Sequence, residues 1–218
     1  NTSNSNSAFG YKSLTMNTSG YENCAFGKQA MEKNTTGYSN TAIGDAALAN
    51  NTIGANNIAI GESPMRLNTT GNFNIGIGYR AADGNISGEF NIGMGYQSLY
   101  LNNSGIQNVA IGYRAVYDNT TGQRNTGLGI YSLQNNISGV ENSGLGAYTL
   151  TSIGTLQGAT AIGSFTIVNA NNKIRLGDNS VTMIEGQVAY SFPSDARFKS
   201  EILNNIPGLD LINQLHPV

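Results

Sequence analysis

The sequence lacks tryptophan, contains a single cysteine and a single histidine, and carries charge on only 11% of its 218 residues. That charged share is about half of the usual value, and a net charge of −2 provides no basic surface for nucleic acid. Cys24 cannot form a disulfide within the chain, and His216 has no partner cluster for a metal. No apolar run reaches membrane-spanning length. We therefore expect no cofactor, no metal, no nucleic-acid partner and no membrane insertion.

Glycine is abundant, and its placement is regular. Low charge together with 28 glycines would suggest disorder if the glycines were scattered. One glycine instead recurs every 17 residues, at Gly10, Gly27, Gly44, Gly61, Gly78, Gly95, Gly112, Gly129, Gly146 and Gly163. A fixed period of about this length indicates a solenoid, in which each coil buries its apolar side by stacking on its neighbours.

Other residue types recur at fixed positions, which we number from the recurring glycine at position 0. Asparagine stands at −4 and +7, alanine or glycine at −2, a large apolar residue at −1, a mostly apolar residue at +4 and a second glycine at +10. Two glycines in each repeat disfavour a helix, because each costs about 1 kcal/mol relative to alanine. The pattern predicts an all-β solenoid of ten 17-residue coils, each with two short strands and two turns. Asparagine columns stacked at the strand spacing are expected to form amide ladders.

The segment N-x-A-I-G alternates, so positions −1 and −2 face opposite sides of the strand. We expect the large residues at −1 to fill the coil interior together with the apolar residues at +4; examples at −1 are Ile43, Ile60, Ile77 and Ile111. The small residues at −2, such as Ala42 and Ala59, would then form a bare outer face. Regular rows of small residues suit close packing of identical chains about a symmetry axis, so this face is the predicted interface between copies.

The repeat core resembles the head domains of trimeric autotransporter adhesins. It reads NTAIG from Asn40, NIAIG from Asn57 and NVAIG from Asn108, and the likeness extends from about Asn6 to Gly163. This resemblance implies a left-handed parallel β-roll that assembles as a homotrimer.

The sequence changes character after the repeats, and three segments are predicted: a β-solenoid over 1–168, a β-rich connector over 169–193 and a helical tail over 194–218. Within the connector, alternating residues between Asn, Gly and Asp turns predict strands near Lys173–Leu176, Val181–Ile184 and Gln187–Ser191.

The last segment resembles the start of the intramolecular chaperone domain of phage tailspikes and tail fibres. The matching residues are Ser194, Asp195, Arg197, Lys199, Leu215, Pro217 and Val218. In that family the domain helps three chains find their register and then cuts itself off, so the resemblance implies that the domain continues beyond Val218. It also implies Ser194 as nucleophile, Lys199 as base, Asp195 as an orienting or stabilising group and Pro193–Ser194 as the cleaved bond. The alternative is an ordinary helix start capped by Ser194 or Asp195.

These features favour a structural fibre that binds a cell-surface glycan or protein receptor and is located extracellularly, on a virion tail, an injection-system tail or a bacterial surface. Self-cleavage is its only expected chemistry, and nothing in the repeats supports an enzyme acting on polysaccharide. The alternative is a free-standing ice- or glycan-binding module. Two patterns bear on it: a threonine column at +8, which could form an ice-binding face, and a tyrosine stripe at +1 that fits either sugar or protein contact or packing at the strand edge. The N-x-[ST] motifs at +7 fit either glycan acceptance in a secreted protein or a turn that favours these residues.

Overall fold

The computed structural model describes residues 5–187, which contain strands and turns but no helix. The chain divides into two units at Val181, and the described part of the second is 182–187. The first is a parallel β-solenoid of about ten coils with about 17 residues per turn, as predicted. Its strands are β1 Ser7–Phe9, β2 Cys24–Phe26, β3 Thr41–Ile43, β4 Ile58–Ile60, β5 Ile75–Ile77, β6 Ile92–Met94, β7 Val109–Ile111, β8 Thr126–Leu128, β9 Ser143–Leu145, β10 Leu150–Thr151, β11 Thr160–Ile162, β12 Ile167–Val168 and β13 Ile174–Leu176.

One strand from each coil joins a single parallel sheet. The sheet has eleven strands in the order β1 to β9, then β11 and β13, while β10 and β12 pair separately. The register follows the repeat, so that Ala42 pairs with Ala59 and Ile43 with Ile60. Eleven strands about 4.8 Å apart give a ladder on the order of 48 Å long. The predicted strand at Lys173–Leu176 is confirmed as β13, which pairs with β11.

The prediction of two strands in every coil is wrong for most of the rod. The side opposite the sheet, at positions +1 to +6, consists of turns in which the residues at +2 and +4 have positive φ, as at Gln29 (57°) and Met31 (51°). A left-handed backbone conformation at every second residue prevents an extended β-strand. Hydrogen bonds between coils nevertheless continue here, since Met31 N donates to Ala47 O at 2.9 Å. Only the last coils form strands on this side, β10 and β12.

The predicted interior of the coil is wrong in one respect. The apolar residues at +4 are buried as expected, with Leu48 and Met65 fully covered. The alanines at −2, including Ala42 and Ala59, are also fully buried, and the large residues at −1 lie on the outer face. Exposed fractions at −1 are 41% for Ile43, 36% for Ile60 and 41% for Ile111, while Ile77 is half-buried.

The width of the coil explains this inversion. The side chain at +4 crosses the interior and ends against position −2 of the next coil. A β-carbon placed on Gly76 would lie 2.9 Å from Met65 Cγ, and one on Gly127 would lie 2.6 Å from Val116 Cγ2. Interiors are packed without spare volume, so glycine is the residue that fits opposite these two side chains, and alanine is the largest residue at −2 in the other coils. The larger residue of each strand therefore faces outward, and the alanine face cannot be the interface between copies.

Two buried asparagine ladders run along the rod, which confirms the predicted amide columns. At −4, Asn40 Nδ2 donates to Asn23 Oδ1 at 3.1 Å and to Gly54 O at 2.8 Å. At +7, Asn51 Nδ2 donates to Asn34 Oδ1 at 2.8 Å and to the same Gly54 O at 2.9 Å. The carbonyl at +10 thus joins both ladders. Among the described residues, no buried side-chain nitrogen or oxygen lacks a hydrogen-bond partner.

The second recurring glycine is required for space. A β-carbon on Gly37 would lie 2.3 Å from Asn34 Oδ1 and 2.4 Å from Gly54 O. Glycine at +10 therefore allows the two ladders to meet, and it is not among the positive-φ residues. The glycine at position 0 does need its conformational freedom, since φ is +130° at Gly44.

The irregular repeat after Gly146 ends the −4 ladder. Leu156 stands at the position of the +10 glycine, and its carbonyl accepts Asn142 Nδ2 at 2.7 Å. Ala159 stands at the position of the next asparagine, and its N–H donates to Asn142 Oδ1 at 2.9 Å. Both residues are buried in a small apolar cluster with Ala161 and Val168. Apolar packing thus replaces the amide ladder in this coil, as expected of a terminal repeat.

The connector differs in part from its prediction. Val181–Ile184 does not form a strand, and its side chains are exposed. The strand expected at Gln187–Ser191 lies, beyond its first residue, outside the described residues.

Candidate functional surfaces

The residues predicted to perform self-cleavage, Ser194, Asp195 and Lys199, lie outside the described residues, as do the Pro193–Ser194 bond and the expected helical tail. The predicted cleavage site therefore stays a prediction. The described residues offer two exposed surfaces on opposite sides of the coil.

The first surface, which we call the sheet face, is the outer side of the eleven-stranded sheet. It consists of the outward residues at −3 and −1. The −1 residues are Phe9, Phe26, Ile43, Ile60, Ile77, Met94, Ile111, Leu128, Leu145 and Ile162; the −3 residues are Ser7, Cys24, Thr41, Ile58, Ile75, Ile92, Val109, Thr126, Ser143 and Thr160. The −1 column is apolar throughout, and the −3 column is aliphatic from Ile58 to Val109.

The apolar part of the sheet face is widest in the middle of the rod. Phe73 and Phe90, at −5, are each 50% exposed and stack with centroids 5.0 Å apart beside the aliphatic stretch. Further along the rod, Leu128 and Leu145 line an open hollow of about 240 Å³. Cys24 is half-exposed on the same face. A parallel sheet with apolar residues on both sides is typical of sheets that are covered on both sides.

The second surface, which we call the aromatic wall, lies on the turn side of the coil. Its first row comprises Tyr79, Tyr96, Tyr113, Tyr131, Tyr148 and Phe165, in contact from ring to ring along the axis with centroids 5.0–5.2 Å apart. Its second row comprises Tyr100 and Tyr117, stacked at 5.0 Å. The tyrosine stripe predicted at +1 is thus part of a longer row, which shifts to +2 after Tyr113. Tyr11, also in that stripe, belongs to the first coil.

Arginine side chains hold the second row in place. The Arg80 guanidinium lies 4.8 Å from the centre of the Tyr100 ring, and the Arg114 guanidinium lies 4.9 Å from that of Tyr117. Arg80 also pairs with the buried Asp83 at 2.7 Å. These contacts fix the rings through cation–π attraction and a buried ion pair.

The surroundings also shift the pKa values of three side chains on or beside the wall. A hydrogen bond with Tyr113, helped by burial, raises the pKa of Tyr131. Burial raises the pKa of Tyr117 and that of the Asp118 carboxyl, against the attraction of Arg114. A phenol is already protonated at neutral pH with its ordinary pKa, so these shifts leave Tyr117 and Tyr131 able to donate hydrogen bonds.

The asparagines of the N-x-[ST] motifs serve the fold. The motifs begin at Asn17, Asn34, Asn68, Asn85, Asn102, Asn119 and Asn136. From Asn34 onward these side chains are fully buried, and Asn102 Nδ2 donates to Asn85 Oδ1 at 2.7 Å. A nitrogen enclosed in a ladder cannot accept a glycan in the folded chain, so the turn interpretation of these six motifs is correct.

The threonine column at +8 is likewise engaged within the rod. The hydroxyls of Thr35 and Thr52 donate to the +8 carbonyl of the next coil at 2.9 Å and 3.0 Å. Ile86, Asn103 and Ile137 interrupt the column. This face therefore lacks the regular free hydroxyl lattice on which the ice-binding alternative depends.

Among residues 5–187, no group of acidic, histidine or cysteine side chains could hold a metal ion, and no helix could span a bilayer. Comparison of the chain with models of known families, with curated proteins and with solved structures finds no match.

Proposed function

We propose that the chain forms a structural, receptor-binding fibre in which three copies pack as a left-handed β-roll with their sheet faces toward a common axis. The fibre serves on a virion tail, an injection-system tail or a bacterial surface. The observation that carries the proposal is the sheet face, whose −1 column is apolar along the whole rod although the coil interior is already filled by other residues.

Burial of this face supplies the stabilisation that drives assembly. Removing a half-exposed isoleucine or phenylalanine from water contributes on the order of 1 kcal/mol for each side chain. Ten residues at −1 and four aliphatic residues at −3 offer this gain in every copy. A closed ring of identical copies satisfies all of these faces at once, which an open arrangement does not. The choice of three copies rests on the resemblance of the repeats to trimeric adhesin heads.

The solution mass tests the fibre proposal. We expect sedimentation equilibrium to give three times the chain mass of 22.9 kDa over a wide concentration range. A stable monomer would contradict the fibre and favour the free-standing module, and a stable dimer would contradict threefold packing.

We further propose that the fibre is matured by self-cleavage between Pro193 and Ser194. A serine hydroxyl needs a base to attack a peptide carbonyl, and a desolvated lysine such as Lys199 can take its proton. A longer chain carrying the complete chaperone domain is expected to split without added protease into a fibre ending at Pro193 and a fragment beginning Ser194-Asp195. Ser194→Ala and Lys199→Ala should each leave an uncut trimer. N-terminal sequencing of the released fragment decides the matter, and any other first residue contradicts the assignment.

A further inference from the structure

The aromatic wall shares no residue with the sheet face. Its residues stand at +1, +2 and +5, on the side of the coil opposite the strand. Tyr79, Tyr96 and Tyr113 are 38–42% exposed although they stack on one another. An exposed tyrosine offers a ligand both apolar ring surface and a hydrogen-bonding hydroxyl.

Stacking leaves ring edges, and not ring faces, exposed along the wall. The stacked rings cover each other's flat faces, since the planes of Tyr96 and Tyr113 differ by only 6° at a centroid distance of 5.0 Å. A sugar ring therefore cannot stack flat on these rings. It can contact their edges and exchange hydrogen bonds with their hydroxyls, each of which both donates and accepts.

The arginines on the wall are already engaged by other side chains of the chain. Arg66 and Arg80 share the carboxylate of Asp83, at 3.2 Å and 2.7 Å. Arg114 Nε donates to Gln97 Oε1 at 2.9 Å, and Asp118 lies within its electrostatic reach. An anionic ligand would have to compete with these partners, so the wall suits an uncharged one.

We propose that the aromatic wall binds an uncharged, extended polysaccharide, of the kind formed by β-1,4-linked sugars, lying along the rod. The tyrosine rings and their hydroxyls recur once per coil, with neighbouring ring centroids 5.0–5.2 Å apart. This spacing is close to the length of one sugar in such a chain. The rings are held rigid by their neighbours, so little side-chain entropy is lost on binding. Many weak, evenly spaced contacts then add up along the polymer. This deepens the receptor-binding role proposed above and rests on it only in taking the ligand to be a surface polymer.

Affinity electrophoresis tests the proposal directly. The intact chain is run through native gels that contain hydroxyethyl cellulose, glucomannan or the polyanion alginate. We expect retardation by one or both neutral polymers and none by alginate. Tyr96→Ala removes a ring from the middle of the row and should weaken the retardation about fivefold to tenfold.

Tyr38→Ala is the matched control. Tyr38 is 38% exposed and stacks on Tyr21 at 4.9 Å, so it resembles Tyr96 in exposure and packing, but it stands at −6, off the wall. Retardation should not change in this variant. Equal weakening by both variants, absence of retardation by both neutral polymers, or retardation by alginate alone would overturn the proposal.

The two proposals fail separately. A chain that is monomeric by mass but retarded by the neutral polymers contradicts the fibre and supports the wall. A trimer that is not retarded supports the fibre and overturns the wall.

Discussion

Replacing Asn102 by leucine is expected to destabilise the rod by about 2–6 kcal/mol, at 1–3 kcal/mol for each buried group left unpaired. Asn102 Nδ2 donates to Asn85 Oδ1, and Asn102 Oδ1 accepts Asn119 Nδ2, both at 2.7 Å. Leucine removes these two bonds and a third, from Asn102 Nδ2 to Gly105 O at 3.0 Å. It leaves Asn85 Oδ1 and one of the two N–H groups of Asn119 Nδ2 without a partner inside the coil, while Asn119 Nδ2 keeps its bond to Gly122 O. The free energy of unfolding in urea, followed by circular dichroism at one protein concentration, measures the change.

The neighbouring Asn103 provides the control for this prediction. Its side chain is exposed, and it follows Asn102 directly in the same turn. Asn103→Leu should alter the free energy of unfolding by less than about 0.5 kcal/mol. If both variants lose the same amount, the ladder contributes little to stability. If the transition broadens in Asn102→Leu alone, the rod has divided into two unfolding blocks at that coil, as repeat proteins can do.

Replacing Ile111 by glutamate is expected to convert the proposed trimer into monomers. Ile111 lies in the middle of the sheet face and is 41% exposed in the single chain, so the carboxylate costs the isolated coil little. In the trimer the same substitution would bring unpaired charges out of water at an interface, which costs several kcal/mol. We expect the association constant to fall by at least about a hundredfold. Sedimentation equilibrium measures it.

Ile86→Glu is the control for this substitution. Ile86 is 40% exposed, but it stands at +8, away from the sheet face. The variant should remain trimeric, and the reactivity of Cys24 supplies a second measurement. A thiol reagent should modify Cys24 slowly in the wild type and in Ile86→Glu, and quickly in Ile111→Glu. A trimer that tolerates glutamate at 111 would show that the copies meet through another surface.

Much of the fold could be predicted from the sequence because the repeat is regular. The period gives the coil, the asparagines at −4 and +7 give the ladders, and the apolar residues at +4, such as Leu48, give the core. These inferences depend on spacing and residue type alone. They hold because every coil meets the same neighbours.

Which side of each strand faces the coil interior could not be predicted in the same way. Alternation shows that Ala42 and Ile43 face opposite sides, but it does not show which side is inside. The preference of large apolar residues for the interior favoured Ile43, and that was wrong. A usable signal was present: position −2 never exceeds alanine in size, whereas −1 varies from leucine to phenylalanine. A position that accepts only small side chains faces a packed interior, whereas a position that accepts side chains of several sizes faces an open surface.

The extended aromatic row was only partly visible in the sequence. Tyr79, Tyr96 and Tyr113 recur at +1 and were recognised as a stripe. Tyr131 and Tyr148 stand one position later, so a search by column separates them from the others. Adjacent positions on a turn can bring side chains to the same place, and Tyr113 meets Tyr131 edge to face at 5.2 Å.

The composition of the coil interior has a thermal consequence. Exposure of apolar surface on unfolding raises the heat capacity, and exposure of polar surface lowers it. The rod interior holds two columns of amides and many alanines, with one larger apolar side chain from most coils. Its unfolding should therefore change the heat capacity less, per residue, than the unfolding of an ordinary globular domain. A smaller heat-capacity change flattens the curve of stability against temperature, so the single coil stack loses little of its stability on cooling.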